Sequence, residues 1–89
     1  MRYIIDGLMY DTETAEVVYK YIYDHTTPRF LKPSEPIYQT IYKTKNGRYF
    51  VWSDDLDFLY SIDEYEVKHK ILDNDIDKYE EIFGEIPEA

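Results

Sequence analysis

The sequence contains no cysteine and only three glycines in its 89 residues. Without cysteine, a disulfide framework, a thiolate zinc site and a cysteine nucleophile are all excluded. Three glycines leave little room for a glycine-rich loop around a phosphate. No apolar run approaches the ~20 residues that span a bilayer, and residues 1–6 lack the apolar stretch of a secretion signal. We therefore expect a cytoplasmic protein with no membrane contact.

Aromatic residues are abundant. They make up 18% of the chain, and 11 of its residues are tyrosine, within a hydrophobic share of 44% that is too high for a disordered chain. A chain of this length forms one small domain, residues 1–89, that buries only roughly 60–65% of its unfolded surface. Because tyrosine combines a large rigid ring with a polar tip, a tyrosine-rich sheet face is a candidate docking surface.

The charge is strongly negative and unevenly distributed. The 10 basic and 19 acidic residues give a net charge of −9. Residues 1–53 have seven basic and six acidic side chains (+1), whereas residues 54–89 have three basic and thirteen acidic ones (−10). Such a one-sided field steers a basic partner and disfavours direct nucleic-acid binding, because phosphate repels it. The alternative interpretation is a solvated helical surface that keeps a small protein soluble.

A tight hairpin is predicted at the start of the chain. The Asp-Gly dipeptide at residues 6–7 separates two runs of strand-forming residues. Glycine adopts positive φ readily and aspartate tolerates it, so the dipeptide suits a type I′ turn that pairs Ile5 with Leu8. Residues 12–15 are predicted to form the turn that follows.

The next segments alternate between strands and irregular structure. Residues 17–23 form a predicted strand with valine or tyrosine at each odd position. Residues 25–36 contain three prolines, which cannot donate to a sheet ladder, so a loop is predicted. Residues 54–57 are predicted to be a turn or bulge, and residues 58–60 a short last strand.

A second hairpin is predicted over residues 37–52. Its Asn-Gly dipeptide at residues 46–47 is a strong signal for a two-residue loop. A loop of that length pairs Ile41 with Trp52. Alternation then places Ile41, Phe50 and Trp52 on one face, which is expected to be the core beneath the helices.

Two short helices are predicted after the strands. Ser61 and Glu64 match the capping box that starts a helix. The Asp-Asn-Asp run at residues 73–75 supplies a candidate N-cap for a second helix from about residue 75 to residue 83, and Gly84 is a natural helix stop. The predicted core stripe of the first helix consists of Ile62, Tyr65, His69 and Leu72. Strands followed by helices predict an α+β fold, with an antiparallel sheet of four to five strands in a meander of hairpins and two short C-terminal helices.

The aspartate clusters do not amount to metal sites. Asp73, Asp75 and Asp77 have the spacing of a calcium loop, but Lys78 replaces the turn glycine and Gly84 the bidentate glutamate. A second cluster, Asp54, Asp55 and Asp57, holds Mg²⁺ only if further ligands join it. The histidines and serines lie in no nucleophile motif. We therefore predict no metal, no cofactor, no catalytic residue and no enzymatic activity.

One feature favours a different partner. Lys43, Lys45 and Arg48 alternate with Tyr42 and Tyr49 along the second hairpin. Aromatic rings among cations stack bases and neutralise phosphates, so a weak nucleic-acid binder is an alternative. The other interpretation is an exposed hairpin tip made soluble by its cations.

Residues 5–15, 42–50 and 79–85 together resemble small acidic proteins encoded by plasmids, integrative elements and phages of Gram-positive bacteria. The segments occur in the same order and span most of the chain. Some small acidic proteins of these elements are anti-CRISPR proteins that inhibit type II effector nucleases. The resemblance therefore implies a non-enzymatic inhibitor from a mobile genetic element, acting in the cytoplasm of the bacterial host. An interaction or regulatory module of such an element, without a defence role, is the alternative.

The acidic residues of the last segment are the predicted partner-binding residues. Both predicted helices turn their apolar stripes inward, so most carboxylates are expected to point outward. An array of this kind imitates a phosphate backbone and fits the arginine-rich groove of a CRISPR nuclease. The predicted partner-binding residues are Asp54, Asp55, Asp57, Asp63, Glu66, Asp73, Asp75, Asp77, Glu80 and Glu81.

Overall fold

A computed structural model describes residues 1–24, 37–53 and 58–89. Its strands are β1 (Arg2–Ile5), β2 (Leu8–Asp11), β3 (Glu16–Asp24), β4 (Ile37–Lys43), β5 (Tyr49–Ser53) and β6 (Phe58–Ile62), and its helices are α1 (Glu64–Asn74) and α2 (Ile76–Phe83). The predicted loop at residues 25–36 and the predicted turn at residues 54–57 lie outside the described residues.

The strands form two antiparallel sheets. β1 and β2 pair with each other, and β3, β4, β5 and β6 pair in chain order as a meander. The predicted α+β class is confirmed, although the described strands divide into two sheets where one was expected. Within the described ranges, no helix combines the length and the apolar character needed to cross a membrane.

The β1–β2 hairpin has the predicted register. Ile5 pairs with Leu8, and the turn residues Asp6 and Gly7 have φ values of 51° and 76°. Positive φ at both central positions defines the type I′ turn, whose twist matches that of the flanking strands. The local sequence was sufficient here because two residues fix the whole hairpin.

The β4–β5 hairpin differs from the prediction by one residue. Tyr42 pairs with Phe50, so residues 44–48 form a longer loop in place of the two-residue turn. Thr44 closes this loop: its backbone N–H donates to the Arg48 carbonyl at 2.8 Å, and its hydroxyl accepts from the Arg48 N–H at 3.1 Å. The Thr44 side chain therefore stabilises a loop that the Asn-Gly signal alone did not predict.

This shift changes the face on which the large side chains lie. Ile41 pairs with Val51, and both are fully buried on the face covered by the helices. Phe50 and Trp52 lie on the opposite face, against the β1–β2 hairpin. The prediction that Ile41, Phe50 and Trp52 share one core face is wrong, because a one-residue slip moves every side chain of a strand to the other face of its pair.

The four-stranded sheet consequently separates two cores. The helix-side core contains the buried residues Tyr21, Ile41, Val51, Ile62, Val67 and Ile71. The hairpin-side core contains the buried residues Tyr10, Phe50 and Leu59. The order of layers is helices, four-stranded sheet and two-stranded hairpin, so both faces of the central strands are covered.

The α1 helix begins later than predicted. Ser61 lies in β6, where it pairs with Phe50, and is not a cap. The Asp63 carboxylate is the N-cap and accepts a hydrogen bond from the Glu66 N–H at 2.8 Å. Asp63 and Glu66 have the spacing of a capping box, and the N-cap hydrogen bond of that motif forms two residues further along.

The buried face of α1 also differs from the prediction. Val67 and Ile71 are fully buried, whereas Tyr65 and His69 are exposed. Ile62 is buried, but as a strand residue. Val67 and Ile71 are four residues apart and fit one helical stripe. The predicted stripe is wrong because its first member, Ile62, belongs to β6 and not to the helix.

The β3 strand follows the predicted turn at residues 12–15, which an Ala15 N–H to Asp11 C=O hydrogen bond of 3.0 Å closes. An irregularity between Val17 and Tyr19 places Val17 on the exposed side, so the predicted continuous face of odd-numbered residues does not form. Tyr19 packs on the helix-side core instead.

Candidate functional site

The outer surface of the two helices presents five of the ten predicted partner-binding residues. In α2, Tyr79 and Phe83 pack on the helix-side core. Helical periodicity then directs Asp77, Glu80 and Glu81 away from the sheet, and all three are exposed. Residues three or four positions apart on a helix are neighbours, about 5–6 Å between Cβ atoms. The outer face of α2 is therefore a compact group of carboxylates.

The outer face of α1 continues this surface. Because Val67 and Ile71 face the core, the opposite side of the helix presents Glu66 and Asp73, and both are exposed. Tyr65 and His69 lie on the same side. We call the exposed side of α1 and α2 the acidic helical surface. It is defined by Tyr65, Glu66, His69, Asp73, Asp77, Glu80 and Glu81.

Two further predicted residues have a structural role. Asp63 caps α1, and the Asp75 carboxylate caps α2 by accepting from the Lys78 N–H at 3.1 Å. An acidic N-cap also stabilises its helix by interacting with the helix dipole. Burial raises the pKa of the Tyr19 phenol, and the charge of Asp75 raises it further. Asp75 therefore acts both as a cap and as a charge near the sheet.

The acidic and basic side chains of residues 58–89 differ in exposure. The ten acidic residues of this segment are all exposed: Asp63, Glu64, Glu66, Asp73, Asp75, Asp77, Glu80, Glu81, Glu85 and Glu88. Its three lysines, Lys68, Lys70 and Lys78, are all half-buried. The negative charge is thus presented to solvent, while the positive charge is partly withdrawn from it.

Two of these lysines contact carboxylates of the same helix. The Lys68 Nζ lies 3.9 Å from a Glu64 carboxylate oxygen and 5.2 Å from the centre of the Phe83 ring. The Lys78 Nζ lies 3.4 Å from a Glu81 carboxylate oxygen. Exposed pairs of this kind contribute little to stability. The two lysines do neutralise part of the negative charge of Glu64 and Glu81. The negative field of the helices therefore comes mainly from Glu66, Asp73, Asp77 and Glu80.

The third lysine, Lys70, packs on a polar group at the helix–sheet interface. Its Nζ lies 6.0 Å from the centre of the Tyr21 ring and 5.9 Å from that of the Tyr60 ring. Burial alone lowers the pKa of the ammonium, but attraction and hydrogen bonding to the two phenols outweigh it, and the net pKa is raised. Lys70 therefore remains charged at neutral pH.

Gln39 completes this group beneath α1. It is buried, and its side-chain oxygen accepts from the Tyr21 hydroxyl at 2.6 Å and from the Tyr60 hydroxyl at 3.4 Å. The nearby Ser53 hydroxyl is fully buried and has no hydrogen-bond partner in the described residues. Gln39 thus joins two phenols of the sheet, and Lys70 of α1 packs on their rings. We call this group the polar tie beneath α1.

Three other features were predicted: the aspartates of residues 54–57, the absence of a metal site and a tyrosine-rich sheet face. Asp54, Asp55 and Asp57 lie outside the described residues. Within the described ranges, no group of three histidine or acidic side chains is arranged to hold a metal ion. Eight tyrosines pack into the two cores instead of forming an outer sheet face: Tyr3, Tyr10, Tyr19, Tyr21, Tyr42, Tyr49, Tyr60 and Tyr79.

The basic hairpin tip lies on a different element from the acidic helical surface. All three cations are exposed: Lys43 ends β4, and Lys45 and Arg48 lie in the loop that follows it. The Lys43 Nζ lies 5.6 Å from the centre of the Tyr49 ring, which is itself half-buried and packs on the helix-side core. This ring therefore offers less area for stacking on a base than the sequence pattern suggested.

Comparisons with protein-family models, curated protein sequences and solved structures gave no match. The interpretation of the acidic helical surface consequently depends on its own geometry and charge.

Proposed function

We propose that this protein is a non-enzymatic inhibitor that binds a basic partner through the acidic helical surface. The observation that supports this proposal is the exposure difference on the two helices, with every acidic residue exposed and every lysine half-buried. A surface of this kind attracts a groove lined by arginine and lysine and competes there with nucleic acid. The sequence resemblance narrows the partner to a type II CRISPR effector nuclease and the origin to a mobile genetic element.

The expected mechanism is electrostatic mimicry. A CRISPR nuclease holds its guide heteroduplex in a positively charged channel and reads the adjacent duplex with arginines. Carboxylates on helix neighbours, whose Cβ atoms are about 5–6 Å apart, offer those arginines acceptors in place of phosphate oxygens. The inhibitor acts in the bacterial cytoplasm, where the nuclease is found, and needs neither a cofactor nor a catalytic residue.

The test is a set of charge variants assayed for inhibition of DNA cleavage by a purified type II nuclease. The set must leave Asp63 and Asp75 intact, because removing a helix cap destabilises the helix that carries the surface being tested. The variant Asp73→Asn, Asp77→Asn and Glu80→Gln removes three exposed charges that cap neither helix. We expect it to weaken inhibition by about 3- to 150-fold at low salt, since each exposed charge contributes about 0.2–1 kcal/mol and 1.4 kcal/mol is tenfold.

The control neutralises the hairpin tip with Lys43→Gln, Lys45→Gln and Arg48→Gln. Inhibition by this variant should stay within about twofold of the unmodified protein, because the changes leave every carboxylate of the acidic helical surface in place. Loss of activity only in the hairpin variant contradicts the proposal and supports nucleic-acid binding. If the unmodified protein leaves the nuclease fully active, the nuclease is excluded as partner, and an interaction module without a defence role becomes the better proposal.

A further inference from the structure

Tyr65 is the most exposed aromatic ring of the described residues. It is 70% exposed, and its ring centre lies 4.4 Å from that of His69, with the two ring planes inclined by 60°. The two residues are four positions apart, so the rings are neighbours on the outer side of α1. Large apolar surface is normally turned inward. An exposed ring pair in the middle of a charged surface is therefore a candidate contact point.

The surroundings of this ring pair are acidic. Glu66 and Asp73 lie three positions before and four positions after His69, which makes both of them its neighbours on the helix. Both are exposed. A group that lies over the two rings is therefore within reach of carboxylates on the adjacent side of α1.

The lysines of the chain are placed over other rings. Lys20 lies over Tyr38 at 5.0 Å and Lys43 over Tyr49 at 5.6 Å, while Lys68 and Lys70 lie over rings of the helix-side core. In the part of the chain that the structure describes, no lysine or arginine lies over Tyr65. Tyr65 is thus an exposed ring with nearby carboxylates whose face is available to a cation from another molecule.

We infer that the Tyr65–His69 ring pair is the binding position for an arginine side chain of the partner. A guanidinium is planar, stacks on an aromatic face and donates two parallel hydrogen bonds to a carboxylate. An ammonium lacks the plane and is more strongly hydrated, so lysine fits the same position less well. This inference rests on the proposed function and extends it. The proposed function requires only that the partner is basic, whereas the ring pair favours an arginine of that partner over a lysine.

The test uses two peptide probes, hexa-arginine and hexa-lysine, titrated into the full chain at about 0.1 M salt, where exposed charges are screened beyond about 10 Å. Binding is followed by NMR. We expect hexa-arginine to bind about two- to fivefold more tightly than hexa-lysine, the gain of one exposed cation–π contact. The largest shifts should occur at the Tyr65 ring and at the amides of His69 and Asp73.

Three variants separate the ring from the charge. Tyr65→Ala should reduce the preference for arginine to what carboxylate pairing alone supplies, while Tyr65→Phe, which keeps the ring, should retain the full preference. Tyr38→Ala is the matched control, because Tyr38 is also exposed but lies under Lys20. Its preference should be unchanged. Amide spectra of each variant establish that it is folded.

Equal affinity of the unmodified protein for the two peptides, or a preference for arginine that Tyr65→Ala leaves undiminished, overturns the inference. The peptide experiment does not involve the nuclease. A protein that prefers arginine through Tyr65 but leaves the nuclease active refutes only the proposed target. A protein that inhibits the nuclease without a preference for arginine refutes only the role of the ring pair.

Discussion

The Tyr42 ring stacks on the Phe50 ring across β4 and β5, with the centroids 5.0 Å apart and the planes inclined by only 10°. The two residues are directly opposite in the sheet. Cross-strand aromatic pairs stabilise the register in which they meet. The ring contact therefore belongs to the observed register of β4 and β5. That register places Phe50 beneath the β1–β2 hairpin and Val51 beneath the helices.

We predict that Phe50→Ala lowers the free energy of unfolding by about 3–5 kcal/mol, because it leaves a cavity at a fully buried position. Tyr65→Ala removes a ring from an exposed helical position and should change stability by less than about 0.5 kcal/mol. Urea denaturation measures both. Similar losses in the two variants would mean that Phe50 is not in a packed core.

The cap of α1 is tested by Asp63→Ala, which should cost about 0.5–2 kcal/mol because the Glu66 N–H loses its acceptor. Ser61→Ala should have an effect below about 0.5 kcal/mol, since Ser61 is an exposed strand residue. Thermal unfolding of the two variants under one set of conditions distinguishes the two possible starts of the helix. A larger loss for Ser61→Ala would restore the capping box predicted from the sequence.

The polar tie beneath α1 is tested by Gln39→Leu. This change removes the 2.6 Å hydrogen bond from the buried Tyr21 hydroxyl to Gln39 and should cost about 1–3 kcal/mol. Tyr60→Phe removes the longer hydrogen bond, 3.4 Å, and should cost less. Denaturant titration gives both values. If Gln39→Leu were neutral, the hydrogen bonds of Gln39 to the two strand tyrosines would not contribute to stability.

The charge of Lys70 should appear in the pH dependence of stability. Its pKa is raised above the ordinary value of 10.5 in the folded protein, so the folded state holds this proton more tightly than the unfolded chain does. The resulting contribution is fully present below pH 10.5 and is lost as the pH rises through the folded pKa. Above pH 10.5, the free energy of unfolding of the Lys70→Met variant should therefore fall less steeply with pH than that of the unmodified protein. Urea denaturation at several pH values measures both slopes. Parallel curves would contradict the interaction of Lys70 with the two phenols.

Several features follow from short stretches of sequence. The Asp6-Gly7 turn fixes the register of its hairpin because only residues that tolerate positive φ fit there. Asp75 and Gly84 delimit α2 because a carboxylate satisfies the first free N–H groups and glycine readily adopts the φ of 96° at the end. In each case the interaction that decides the structure joins residues no more than a few positions apart.

The acidic helical surface was partly predictable. The concentration of carboxylates after Ser53 is a property of the sequence, and the outward direction of Asp77 and Glu80 follows from the stripe of α2. The position of Tyr65 was not predicted, because the pattern assigned it to the core stripe. A stripe of Val67 and Ile71, which are more apolar than Tyr65 and His69, was the signal that pointed to the correct face.

The sequence by itself determined the α+β class, the first hairpin, the limits of α2 and the sign of the charge on the helices. Only the tertiary structure decided the register of β4 and β5, the start of α1 and the division of the tyrosines between two cores. The physical reason is that these outcomes depend on competition between distant partners. Ile41 and Phe50 are both suited to burial, and the choice of face for each depends on whether a helix or the β1–β2 hairpin covers it.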